Sequence, residues 1–169
     1  MQSLTIENKI ISWKSTTLAL TFGLTLASIA APMLFGHTPA NQWITGTLVN
    51  ACLFLSAWNL PAGNGIMIAA LPSGIALTRG LLPAALAPMI PFVIAGNILL
   101  LLFARFTKKN FFLSILSAGF AKAVLLSSAS LLLTTSVKPL LMMMQWPQLI
   151  TALAGGFLAW TIMKIIKKL

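Results

Sequence analysis

Six mostly apolar runs divide this chain, and each approaches the roughly 20 residues that a helix needs to cross the hydrocarbon core of a bilayer. They cover residues 16–35, 43–60, 62–78, 88–106, 111–135 and 146–163. Only 7% of the residues are charged, against 59% hydrophobic. A water-soluble domain carries about a quarter charged residues. So little charge cannot cover a wet surface, so lipid is the expected solvent. The predicted fold is an all-α integral membrane protein, a single domain over residues 1–169 with a bundle of six transmembrane helices.

The punctuation between the runs supports this division. Pro61-Ala-Gly-Asn-Gly65 breaks the second run from the third. The third run is short, carries Pro72, Ser73 and Gly74, and ends at Arg79-Gly80. Pro83, Pro88 and Pro91 crowd the stretch that follows. Proline removes a backbone donor and clashes with the preceding turn. That stretch is expected to be a broken helix or a loop folded against the bundle, because irregular backbone at membrane depth must be covered. Residues 1–15 have two readings, an amphipathic helix lying at the interface or a disordered polar leader.

Basic residues set the expected orientation. Net charge is +10, and Glu7 is the only acid. With an even number of spans, Lys9, Lys14, Arg105, Lys108, Lys109, Lys164, Lys167 and Lys168 share one side with both chain ends. Arg79 and Lys138 lie on the other side. Cytoplasmic loops collect Lys and Arg, so the N- and C-termini are expected in the cytoplasm of a multi-pass cell (plasma) membrane protein. The same placement argues against nucleic acid as the target of the positive charge. A signal-peptide core over residues 16–30, with Ser28-Ile29-Ala30 as its small-residue site, is the alternative for the first run. The long leader carrying Glu7 and the better charge balance favour a retained helix.

Composition also narrows the chemistry. Cys52, His37 and Glu7 are each the only residue of their type, and there is no Asp. Side chains alone cannot then build a metal cage or a catalytic triad. The chain is expected not to be an enzyme, with no catalytic or metal residues. Gly63-Asn-Gly65 is too short for a phosphate loop, so no cofactor is expected and any ATP would be hydrolysed by partner subunits. The absence of carboxylates in the spans argues against a proton- or sodium-coupled carrier. A simple pore fits poorly with three clustered prolines and a charge in mid-span.

That charge is Lys122, near the middle of the fifth run. A charge at such depth costs a few kcal/mol or more and normally faces the bundle interior or a cavity. With no acid to neutralise it, Lys122 must snorkel, lose its proton, meet backbone carbonyls or bind an external anion. Asn97 in the fourth run and Gln145, Trp146 and Gln148 at the start of the sixth are the polar groups expected to share a pocket with it. Asn50, Ser127, Ser128 and the soft methionines Met142, Met143 and Met144 lie within reach in the sequence map. Taken singly, Asn50 and Asn97 also fit plain interhelical hydrogen bonds. Gln145, Trp146 and Gln148 also fit interfacial anchoring. Gly23, Ala27 and Ala31, spaced by four in the first run, form a small-residue face suited to close helix packing, against a partner or within the bundle.

A small, basic, six-span chain of this kind resembles the substrate-binding S component of energy-coupling factor (ECF) transporters. Ala27-x-x-x-Ala31 is similar to the Ala-rich motif by which S components dock the transmembrane T subunit. Leu81-Leu-Pro-Ala-Ala-Leu-Ala-Pro-Met-Ile-Pro-Phe92 with Gly96-Asn97, and Trp146-Pro-Gln-Leu-Ile-Thr-Ala-Leu-Ala-Gly-Gly156, look like stretches of members of that class. The resemblance implies a capture subunit for a vitamin-like micronutrient, working with a T subunit and two cytosolic ATPases. It also implies a pocket built mainly by the later helices, at Asn97, Lys122, Gln145, Trp146 and Gln148. Residue 2 is Gln, where the cobalt and nickel members carry a metal-binding His, so the resemblance does not point to a metal. The other class of function is a non-transport scaffold or assembly subunit of a membrane complex.

Overall fold

A computed structural model describes residues 2–35, 41–81, 84–133 and 142–166. His37, Pro83, Lys138, Lys167 and Lys168, named above, lie outside these residues. The described residues form six α-helices and a short 3-10 helix, with no strand among them. The α-helices are α1 (Gln2–Phe35), α2 (Asn41–Asn59), α3 (Ala62–Thr78), α4 (Ile90–Phe106), α5 (Phe111–Leu132) and α6 (Trp146–Ile166). Ala84–Met89 is the 3-10 helix, so the proline-rich stretch is a broken entry to α4 whose Leu86 and Met89 are buried. Residues 2–15 continue α1 as one helix.

Four helical segments are long and apolar enough to cross a membrane: Trp13–Phe35, Leu86–Phe106, Phe111–Leu132 and Trp146–Ile166. The helix Ala62–Thr78 is apolar but shorter. Helix α2 carries Asn41, Gln42, Asn50 and Asn59, which dilute its hydropathy. It holds the centre of the bundle, packed against α1, α3, α4 and α6. A helix sheltered by four others can carry amides that a lipid-facing one cannot.

Outside, the polarity is reversed. Leu18, Phe22, Phe106, Phe112, Val124, Leu131 and Leu132 are exposed. A surface of that kind suits acyl chains. The core is small-sided and close-fitting. Leu53, Phe54, Ile68, Leu100, Ile115 and Leu126 are fully buried, with Ala69, Ala104, Ala118, Ala152 and Ala159 between them.

Local signals explain the helix ends. Asn110 caps α5, its Oδ1 accepting from the Leu113 N–H at 3.1 Å. Helix α3 stops at Gly80, whose φ of 66° is left-handed. There Gly80 N–H donates to Leu77 O at 3.1 Å and Leu81 N–H to Ala76 O at 2.9 Å, the paired bonds of a Schellman stop. At the α4–α5 corner, Arg105 donates to the Leu60 carbonyl. Nearby, Trp58 Nε1 donates to Ser114 Oγ at 3.0 Å and Ser114 Oγ to Ala104 O at 2.9 Å. These bonds fasten α2, α4 and α5 at one end of the bundle.

One buried hydroxyl is left over. Ser56 Oγ has no hydrogen-bond partner among the described residues, beside the close approach of Gly65. Removing an unsatisfied buried group is neutral or favourable. Ser56→Ala is therefore expected to hold or raise stability, by up to about 1 kcal/mol. Thermal unfolding in detergent checks this, and a clear loss would mean the hydroxyl has a partner in the folded protein.

Candidate functional site

The helices alternate in direction, so the bundle has two chemically different ends. Lys14, Arg105, Lys108, Lys109 and Lys164 gather at one, and Lys164 Nζ sits 3.9 Å over the Trp160 ring. The other end carries Arg79 and opens into a pocket of about 440 Å³. That volume is in the range of small-molecule sites.

The pocket reaches down to Lys122. Lys122 is 3% exposed, and its Nζ donates to Asn50 Oδ1 and Asn97 Oδ1, both at 2.7 Å. Charge-assisted bonds of this length are about twice as strong as neutral ones. The two carboxamides are themselves held. Asn97 Nδ2 donates to Ala69 O at 2.9 Å, and Asn50 Nδ2 to Thr151 Oγ1 at 3.4 Å. Thr151 Oγ1 in turn donates to Gln148 O at 3.2 Å. One lysine thereby joins α2, α3, α4, α5 and α6. The sequence reading considered backbone carbonyls for Lys122; the partners are side-chain amide oxygens.

Proline shapes the acceptor on α3. Pro72 lacks the N–H that would bond Ile68 O, which opens the helix at that turn. Asn97 binds the next carbonyl, Ala69 O. A serine in a helix normally turns its hydroxyl back onto the carbonyl four residues earlier. For Ser73 that carbonyl is Ala69 O, already taken. The Ser73 hydroxyl has no partner among the described residues and lines the pocket.

Close backbone approach makes room for the network. A Cβ on Gly96 would meet Lys122 Cγ at 3.4 Å, and one on Gly46 would meet Thr151 at 3.1 Å. Above the amides the walls are mostly apolar, with Val49, Val93, Ile90 and Met89 facing the space. The 3-10 helix and the turn at 142–145 cap this region, burying Leu86, Met89 and Met144 against Leu126 and Ala129 of α5. Gln42 Nε2 ties the turn down by donating to Met143 O at 2.6 Å.

Asn97, Lys122 and Gln148 therefore line one pocket, and Asn50, Met143 and Met144 join them. Gln145 and Trp146 do not line it. They border a shallow groove on the other side of α5 and α6, together with Ser127 and Ser128. Gln145 Nε2 donates to Ser130 Oγ at 3.2 Å, and Trp146 packs on Trp43 with ring centres 5.7 Å apart. Thr151, Ser73, Thr45 and Gln42 were not singled out from the sequence. Each looks there like a helix-end or back-bonding polar residue. The small face of α1 is split: Ala31 is buried, while Gly23 and Ala27 are exposed.

No family model matches the chain, and no curated protein or solved structure shows detectable similarity to it.

Proposed function

We propose that this protein is a membrane-embedded capture subunit for a small organic molecule, acting in uptake across the cell membrane. The observation that carries the reading is the pocket at the end of the bundle opposite the basic cluster, with a buried lysine at its base. In this reading all six helices cross the membrane and the basic end, with both termini, faces the cytoplasm. The pocket then opens outward, where an uptake subunit meets its substrate. In this reading energy would come from partner subunits. An ECF-type arrangement, with a T subunit and two cytosolic ATPases, fits that need. The exposed Gly23–Ala27 face of α1 is the surface we assign to the T subunit.

A scaffold subunit is the second reading, favoured by the same exposed face, where a Cβ on Gly23 would meet nothing within 4 Å. The two differ in whether the pocket is used. Native mass spectrometry of gently extracted protein is expected to show one small molecule bound per chain. Val93→Trp should fill the pocket from its wall and remove that bound mass while thermal unfolding stays near wild type. A wild-type protein that carries partners but never a small molecule would favour the scaffold.

A further inference from the structure

Resting on the reading of the pocket as a capture site, we propose that its substrate is a small organic monoanion: a carboxylate on an apolar body of one or two rings, its charged end accepting a hydrogen bond from the Lys122 N–H that the two asparagines leave free. An ammonium has three protons to donate. Asn50 Oδ1 and Asn97 Oδ1 take two, and the third has no acceptor among the described residues. Both partners are neutral amides. They stabilise the ammonium as dipoles but leave its charge uncompensated.

No carboxylate side chain exists among the described side chains, and Glu7, the chain's only acid, precedes them. An anion entering the pocket would supply the negative charge that the two amides do not. A buried charge gains most from a counter-charge where water is excluded. The Ser73 hydroxyl, without a partner among the described residues, is a second donor lining the same pocket. Arg79 does not line the pocket. The one positive charge among the described lining residues matches a monoanion better than a phosphate monoester, which carries nearly two charges at neutral pH. Val93, Ile90, Met89 and Met144 then hold the apolar body, and the methionines adapt to its shape.

The test uses three probes on one phenylpropyl frame: 3-phenylpropionate, its isosteric primary amide, and the cationic 3-phenylpropylamine. Each is titrated against the full-length chain in phosphatidylcholine nanodiscs. The carboxylate is expected to bind at least ten-fold more tightly than the amide, and the amine not measurably. Lys122→Met should erase the preference for the carboxylate, and Val93→Trp should abolish binding of all three. Lys122→Arg, which keeps the charge, guards against misfolding of the neutral variant and should retain a preference for the carboxylate. Equal binding of carboxylate and amide, or preference for the amine, would overturn the monoanion assignment while leaving the pocket as a capture site. No binding of any probe, with no copurified molecule in native mass spectra, would overturn the capture reading and this inference with it.

Discussion

Gly155→Val is expected to stop α2 and α6 from docking, with loss of folded protein. A Cβ at Gly155 would sit 2.7 Å from Thr47 O, 2.7 Å from Asn50 Cβ and 2.8 Å from Ala51 N. Two of these are backbone atoms, which cannot rotate away. Overpacking usually costs about 1–3 kcal/mol, and a β-branched side chain against backbone belongs at or above the top of that range. Gly156 beside it is also pressed, since a Cβ there would meet Ile115 of α5 at 2.8 Å and Phe54 of α2 at 3.0 Å. The variant therefore has no room to rotate into. Displacing α2 would also move Asn50 away from Lys122. Yield of monodisperse protein in mild detergent reads the effect directly. Gly23→Val, where a Cβ meets nothing within 4 Å, is the matched control and should fold normally. Equal yields for the two variants would refute the close α2–α6 approach.

This contrast also locates what a sequence alone can reveal. Some helix ends were legible because their causes are local, whereas the start of α1 at Gln2, ahead of the apolar run from residue 16, was not. Pro61, the Arg79-Gly80 stop and the Asn110 cap mark ends that lie within a residue or two of the expected ones. The short third helix ends where its apolar run does, between Pro61 and Arg79-Gly80. The tight interface was not legible, although Ala152, Gly155, Gly156 and Ala159 recur at helical spacing on α6. The Gly23–Ala27–Ala31 series on α1 has the same kind of pattern, and its first two members face outward. Small residues permit close packing, but which series is used depends on the neighbours that the topology supplies.

The pocket was half legible for a similar reason. Lys122, Asn97 and Asn50 each stood out as polar groups in apolar runs. Their meeting is a long-range fact, with partners 72 and 25 residues away from the lysine. Gln145, Trp146 and Gln148 looked equivalent at one helix start. Trp146 and Gln148 point about 200° apart around α6, so Gln148 reaches the pocket while Trp146 borders the groove, together with Gln145 from the turn before the helix.

Asn97→Leu is expected to destabilise the protein by about 2–4 kcal/mol. The substitution removes one of the two described acceptors of the buried Lys122 and the Asn97 Nδ2–Ala69 O bond that ties α4 to α3. Neutral interhelical hydrogen bonds in membranes average only about 0.6 kcal/mol, because the separated helices also find partners. A stranded charge lies outside that average, since a buried ionised group that loses its partner bears its own desolvation cost. Replacing the whole cradle removes the conflict. The triple variant Asn50→Leu, Asn97→Leu, Lys122→Met puts apolar groups of similar size against one another, and its stability should return to near wild type or exceed it. Its pocket should hold no anion. Unfolding in detergent and binding of 3-phenylpropionate then move in opposite directions between the single and triple variants. If Asn97→Leu unfolds like wild type, the amide cradle is not what holds Lys122. If the triple variant is as unstable as the single one, the network is structural, and its conflict with the apolar core is not kept for the sake of a ligand.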